Sequence, residues 1–214
     1  VLGRRSHFHL TGDADFDATG NDLANFLTGN TGSNHLYGGV GADTLHAGEG
    51  DDTIEGGAGD DVLRGDAGAD ELWGGADNDV YYVDELDTVH EAEGQGTGDG
   101  VWANFSYTLG ANVEVLRLTG MADIDGTGNE LLNDIWGNEG DNVIQGFGDR
   151  DHIWGWDGND RLYGGDGDGE HLHGGAGDDL LDGGAGLDDW AAYGFLATAG
   201  VTVNLSVAGP QDTV

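Results

Sequence analysis

No cysteine occurs in this chain, so no disulfide can staple it and thiol redox chemistry is excluded. The same absence suits export without oxidative folding. Proline is reduced to Pro210, and only six side chains are basic. Against those six stand 42 aspartates and glutamates, giving a formal charge of −36. Such a balance argues against nucleic acid and anionic membrane as partners and in favour of bound cations. No apolar run reaches membrane-spanning length, so insertion into a membrane is not expected. What the chain has in excess is glycine, 44 residues of it, a composition that without a period would read as disorder.

A period is present. From Gly38 to Trp73 one phrase is written four times: GGVGADTLH, AGEGDDTIE, GGAGDDVLR, GDAGADELW. This is the nonapeptide G-G-x-G-x-D-x-U-x of a stacked solenoid. Glycines in its first half tolerate positive φ and let the backbone curl until carbonyls point inward. The last three residues alternate out, in, out as a short strand does, with only position eight facing the interior. Two units therefore close one coil, and units two apart stack with their strands ~4.8 Å apart. Calcium, which takes six to eight oxygens at ~2.3 to 2.6 Å, fits between turns at that spacing; magnesium, at ~2.0 to 2.1 Å, fits less well.

In chain order, residues 5–19 align with residues 113–127 at an offset of 108, which makes the chain a tandem of two long repeats. Asp13, Asp15 and Asp17 resemble the start of an EF-hand loop, but its glycine and terminal glutamate are missing. The first roll has units starting at 20, 29, 38, 47, 56, 65 and 74, with Leu27, Leu36, Leu45, Ile54, Leu63, Leu72 and Tyr81 at position eight. Its first two turns carry Asn25 and Asn34 at position six, and a neutral oxygen there predicts weak calcium binding or none. Residues 83–112 break the period and read as longer alternating strands around an acidic loop, a flap or spacer between rolls. The second roll has units starting at 128, 137, 146, 155, 164, 174 and 183, with Ile135, Ile144, Ile153, Leu162, Leu172, Leu181 and Trp190 at position eight. Its fifth unit is ten residues long, finds no aspartate at position six, and is expected to disrupt the stack on its edge. The expected division is an opening segment plus first roll over 1–82, a strand-rich spacer over 83–127, a second roll over 128–191 and a capping strand over 192–214 that continues into a longer parent.

At GGVGADTL, GGAGDDVL and GGAGDDLL the sequence resembles the RTX (repeats-in-toxin, hemolysin-type calcium-binding) family, over nearly the whole chain. The resemblance implies an all-β fold, a parallel β-roll (right-handed β-solenoid), here in two tandem rolls joined by the spacer. It also implies several calcium ions between turns, type I secretion and folding outside the cell. In that family the position-six carboxylate and the carbonyls of the glycine-rich turn hold the metal. Carried over, the carboxylates are Asp43, Asp52, Asp61, Asp70, Asp79, Asp151, Asp160, Asp179 and Asp188. The turn glycines are Gly39, Gly41, Gly48, Gly50, Gly57, Gly59, Gly68, Gly75, Gly158, Gly165, Gly167, Gly175 and Gly177. Complete carboxylate pairs two units apart are Asp43 with Asp61, Asp61 with Asp79, Asp52 with Asp70, and Asp160 with Asp179. Phe147, Trp156 and Asp66 replace glycine at position two, and Asp77 and Asp149 replace it at position four.

No H-E-x-x-H and no G-x-S-x-G occurs, and Ser6, Ser33, Ser106 and Ser206 are isolated, so the chain reads as non-catalytic. Trp136, Trp154, His152, His171 and His173 fall on outward positions of alternate units and line one face. That face either is covered by neighbouring segments or copies of the parent, or binds a polysaccharide, or takes a soft metal through its histidines. The expected role is scaffold or spacer in a large secreted or surface-attached bacterial protein of adhesin or matrix type. The alternatives are the non-catalytic module of an exported hydrolase, protease or polysaccharide epimerase, and a carbohydrate-recognition module.

Overall fold

One inward aliphatic per nine residues, with glycine in the turn between, makes strands too short to stand alone, so each must find a parallel neighbour. The computed structural model describes residues 7–192 and 202–204, and among them every regular element is a strand. The chain forms two compact units, one holding residues up to 102 with 110–113, the other 103–109 with the residues from 114 onward.

In the first unit, β1 (His7–His9), β3 (Phe26–Thr28), β5 (Thr44–Glu49), β7 (Val62–Ala67), β9 (Val80–Tyr82) and β11 (Gly100–Ala103) follow one another in one sheet. The second sheet takes the alternate strands β2 (Asp17–Thr19), β4 (His35–Val40), β6 (Thr53–Ala58), β8 (Glu71–Ala76) and β10 (Thr88–His90). All pairings are parallel and put position eight on position eight: Leu27, Leu45, Leu63 and Tyr81 in the first sheet, Leu36, Ile54 and Leu72 in the second. These side chains are at most 1% exposed, and burying each contributes about 1.5–3 kcal/mol. The irregular stretch after Tyr82, expected as longer strands, supplies strands of three and four residues that prolong the same ladders. Val89 pairs with Leu72, and Val101 with Tyr81.

The second unit repeats the plan. Its sheets are β13 (Val115–Leu118), β15 (Asp134–Trp136), β17 (His152–Asp157), β19 (His171–Ala176) and β21 (Trp190–Ala192), and β12 (Tyr107–Thr108), β14 (Gly126–Thr127), β16 (Val143–Phe147), β18 (Arg161–Gly165), β20 (Leu180–Gly184) and β22 (Thr202–Asn204). Ile135, Ile153 and Leu172 stack on one side, and Ile144, Leu162 and Leu181 on the other, all buried. The register of β1 on β3, His7 opposite Phe26, recurs 108 residues later as Val115 opposite Asp134.

One expectation is corrected here. Trp190 is not the interior residue of the last turn: it is 53% exposed and pairs with His171, while Ala191 stands opposite Leu172. The turn from Gly183 is one residue longer than nine, which moves the strand on by one place and reverses which side chain points inward. Of the segment expected to cap the roll, β22 pairs in parallel with β20 and so adds to the ladder. Residues 193–201 and 205–214 lie outside the described residues.

Candidate metal centres

Each nine-residue turn with aspartate at position six has two residues in the left-handed region, at positions two and four. Gly39, Gly41, Gly48, Gly50, Gly57, Gly59, Gly68, Gly75, Gly158, Gly165, Gly175 and Gly177 hold φ between 107° and 151°, which only glycine adopts without strain. Where glycine is replaced the conformation persists: Asp66, Asp77, Phe147, Asp149 and Trp156 have φ of 69°, 76°, 90°, 57° and 79°. The turn is therefore imposed by the stack rather than by glycine alone. Gly167 departs from this pattern. In its ten-residue turn the left-handed residues are Gly165 and Gly169 (φ 83°), and Gly167 is needed for room, since a Cβ there would meet the Asp149 carbonyl and Glu170 Oε1.

Position six carries the chemistry. One oxygen of each carboxylate accepts the backbone N–H of the position-six residue one coil earlier. Asn25 N donates to Asp43, Asp43 N to Asp61 and Asp61 N to Asp79, at 2.6 to 2.8 Å. Asn34 N donates to Asp52 and Asp52 N to Asp70, at 2.6 and 2.7 Å. In the second unit Asn133 N donates to Asp151, Asn142 N to Asp160 and Asp160 N to Asp179. The four carboxylate pairs expected from sequence are thus brought together. The other oxygen, Oδ2 of Asp43, Asp52, Asp61, Asp70, Asp79, Asp151, Asp160 and Asp179, is buried without a hydrogen-bond partner. It faces the first residue of its own unit and the first carbonyl one coil later: a Cβ on Gly38 would lie 2.5 Å from both Asp43 Oδ2 and the Gly56 carbonyl oxygen.

A buried carboxylate oxygen with no donor is costly unless something positive meets it. Burial is the main cause of raised affinity for protons here, opposed by the backbone N–H and reinforced by neighbouring carboxylates. It lifts Asp52 to about 6, Asp61, Asp160 and Glu170 to about 7, and Asp79 and Asp151 to about 8, with Asp43 and Asp179 also raised. Hard oxygen donors in anionic pairs, with main-chain carbonyls beside them, fit calcium. A bound calcium would neutralise the facing carboxylates and tie successive turns together.

The structure adds carboxylates that sequence spacing missed. Asp87 and Asp99, in the irregular stretch, accept Asp70 N and Asp79 N at 3.2 and 2.8 Å, so both ladders of the first unit run one step further. Glu170 takes position six of the ten-residue turn: it is fully buried, Oε2 accepts Asp151 N at 2.8 Å, and Oε1 has no partner. The ladder on that edge is therefore continuous, contrary to the expected break, because the longer glutamate and the extra residue compensate each other. Asp188 is corrected to Asp189. Asp188 is exposed with φ 64°, whereas Asp189 Oδ1 accepts Glu170 N and its Oδ2 is buried without a partner. The signal that could have found it is the match of GGAGLDDWAA to GGDGDGEHLH, the other ten-residue turn.

Within the second unit the aromatic residues form two rows. Trp136 and Trp154 stack with centroids 4.9 Å apart and planes 5° from parallel, and His173 continues the stack on Trp154 at 5.6 Å and 8°. His152 and His171 form a second row 4.9 Å apart, with His152 Nδ1 2.9 Å from Asp134 Oδ1. Trp190 joins both rows, near His171 and His173. Trp136, Trp154 and the three histidines are half-buried. Burial first, then the neighbouring imidazoles, holds His171 and His173 below the ordinary histidine value.

Parallel coils with ladders of buried carboxylates between them define a repeat protein whose turns are built for calcium. The profile of the RTX calcium-binding nonapeptide repeat (4 copies) matches residues 19–54, 46–81, 126–162, 136–170 and 168–189, more than half of the chain. The chain belongs to this RTX family, and its cofactor is calcium. Among curated proteins nothing matches it.

Proposed function

We propose that this is a segment of a large secreted or surface-attached bacterial protein, folded by calcium outside the cell, where it serves as scaffold or spacer. The observation that supports this is the set of buried position-six oxygens without partners, in a chain of charge −36. With little calcium the facing carboxylates repel and the chain stays extended; abundant calcium removes the repulsion and closes the coils. No catalytic role is assigned, because the ladders account for the buried acids. The division into opening segment and first roll (1–82), spacer (83–127), second roll (128–191) and cap (192–214) belongs to this reading. Circular dichroism tests it: the chain is expected to be disordered in chelator and β-structured in millimolar calcium. A β spectrum unchanged by chelator overturns it.

One observation favours a second reading of the same segment. Two stacked indoles with an imidazole in line, all half-exposed, form an apolar ridge of ring edges on the surface, and exposed apolar patches commonly mark contacts, here with a polysaccharide. Titration with soluble polysaccharides should then show binding by the unmodified protein that Trp136→Ala abolishes. Equal titrations for the two would remove this reading and leave the scaffold.

A further inference from the structure

Beyond Tyr81 the chain leaves the nine-residue period, loops out, and brings Glu91 back beside the last regular turn of the first unit. The Tyr81 hydroxyl, on a fully buried ring, donates to Glu91 Oε1. Three hydrogen bonds fix the loop at that place: Asp77 N to the Gln95 carbonyl at 2.6 Å, Thr97 N to the Asn78 side-chain Oδ1 at 3.1 Å, and the Asn112 side-chain Nδ2 to the Glu91 carbonyl at 3.0 Å. One oxygen each of Asp79, Glu91 and Asp99 lies within 4.8 Å of the other two.

Two observations mark this as more than a group of acids. Asp79 is 0% exposed; its Oδ1 accepts Asp61 N, and its Oδ2 is buried with no partner. Residue 74 is glycine, and a Cβ there would run into the Tyr81 oxygen, Asp79 Oδ2 and Glu91 Oε1, so the missing side chain leaves these oxygens a common space. Oxygens on opposite sides of a calcium ion are ~4.6 to 5.2 Å apart, whereas those around magnesium span ~4.0 to 4.2 Å. The donor set is all oxygen and triply acidic, which suits a hard divalent cation and no soft one.

We propose that Asp79, Glu91 and Asp99 form a calcium site of a different make from the repeat sites, one that takes a glutamate from outside the repeat and so fastens the excursion over 83–99 to the roll. Asp79 and Asp99 belong to the ladder, while Glu91 reaches in from the loop. Tyr81 positions Glu91 and shields the site from water. The site rests on the reading that the turns of this chain bind calcium.

The test counts calcium ions by native mass spectrometry on the full chain, with circular dichroism as the check of folding. Glu91→Gln is expected to fold in calcium and to carry one ion fewer than the unmodified chain. Glu93→Gln, an exposed acid of the same loop, is expected to carry the full number. Asp99→Asn should lose the same single ion, and the double variant no more than either alone. A full complement in Glu91→Gln at an unchanged calcium midpoint overturns the site, as does the loss of two ions in the double variant. If the unmodified chain binds no calcium, the proposed function falls as well, so the two failures are told apart by the unmodified chain.

Discussion

At position six the aspartate Oδ1 accepts the backbone N–H of the residue one coil earlier, whereas the asparagine Oδ1 accepts the position-two N–H of its own turn, Asn21 N for Asn25 and Asn30 N for Asn34, and the second side-chain atom differs as well. Asn34 Nδ2 donates to Asn30 Oδ1 at 3.1 Å, and Asn142 Nδ2 to the Ile124 carbonyl at 2.7 Å and Asn138 Oδ1 at 2.9 Å. The amide protons thus satisfy oxygens locally in the first turns of each roll, where the aspartates further on present a bare oxygen instead. Replacing Asp61 by asparagine should remove a charged ligand from two facing pairs, a charge-assisted interaction worth about 1.5–3 kcal/mol. Asp168 is exposed and its Oδ1 accepts only Leu187 N, at 2.8 Å. A calcium titration followed by circular dichroism should therefore show a clearly raised midpoint for Asp61→Asn and little change for Asp168→Asn. Equal midpoints would count against the assignment of ligands.

At the scale of the turn, the first residue of a unit is limited by space rather than by dihedral angle; most units have glycine there, and Ala47, fully buried, is the largest side chain the place takes in the first roll. A Cβ on Gly38 would lie 2.5 Å from an aspartate oxygen and from a carbonyl oxygen, both facing the same point. Gly38→Ala should cost about 1–3 kcal/mol through overcrowding and raise the calcium needed for folding, whereas Gly110→Ala, with nothing within 4 Å of its Cβ, should leave both unchanged. A midpoint for Gly38→Ala equal to that of the parent would mean that the turn can widen without loss. The regular turns were legible in sequence because turn, ladder and core share one period, so that Asp43, Leu45 and Gly41 are fixed together. The 19-residue step from Asp160 to Asp179 is still legible because both are the position-six aspartates of nine-residue units; legibility fails where the step departs from 18 residues and the next carboxylate is not such an aspartate. The step is 17 from Asp70 to Asp87, 20 from Asp79 to Asp99, and 19 from Asp151 to Glu170 and from Glu170 to Asp189. Loop length absorbs the difference, and space rather than sequence distance keeps the carboxylates in line. The same change of length puts Trp190 outside the core. Hydrophobicity favours tryptophan over alanine as a core residue, but the ten-residue turn sets the register and puts Ala191 opposite Leu172.

For the whole molecule, protons and calcium compete for the same oxygens and act on folding in opposite directions with pH. The carboxyls have pKa values near 3.9 when unfolded and are raised mainly by burial in the metal-free fold, Asp61 to about 7 and Asp79 and Asp151 to about 8. A raised folded-state value means that folding takes up protons. The stability gained this way is fully present below about pH 4 and is lost as pH rises through about 7 to 8. Calcium requires the ionised form, so its affinity weakens as pH falls through the same window. In chelator, lowering the pH from about 8 toward about 5 should therefore raise the β signal in circular dichroism, while the calcium concentration needed for half-binding increases. A chelated chain that stays disordered throughout that window would show that proton uptake is too weak to replace the ion. The fold would then depend on the cross-linking of turns that calcium provides, beyond the neutralisation of charge that protons share with it.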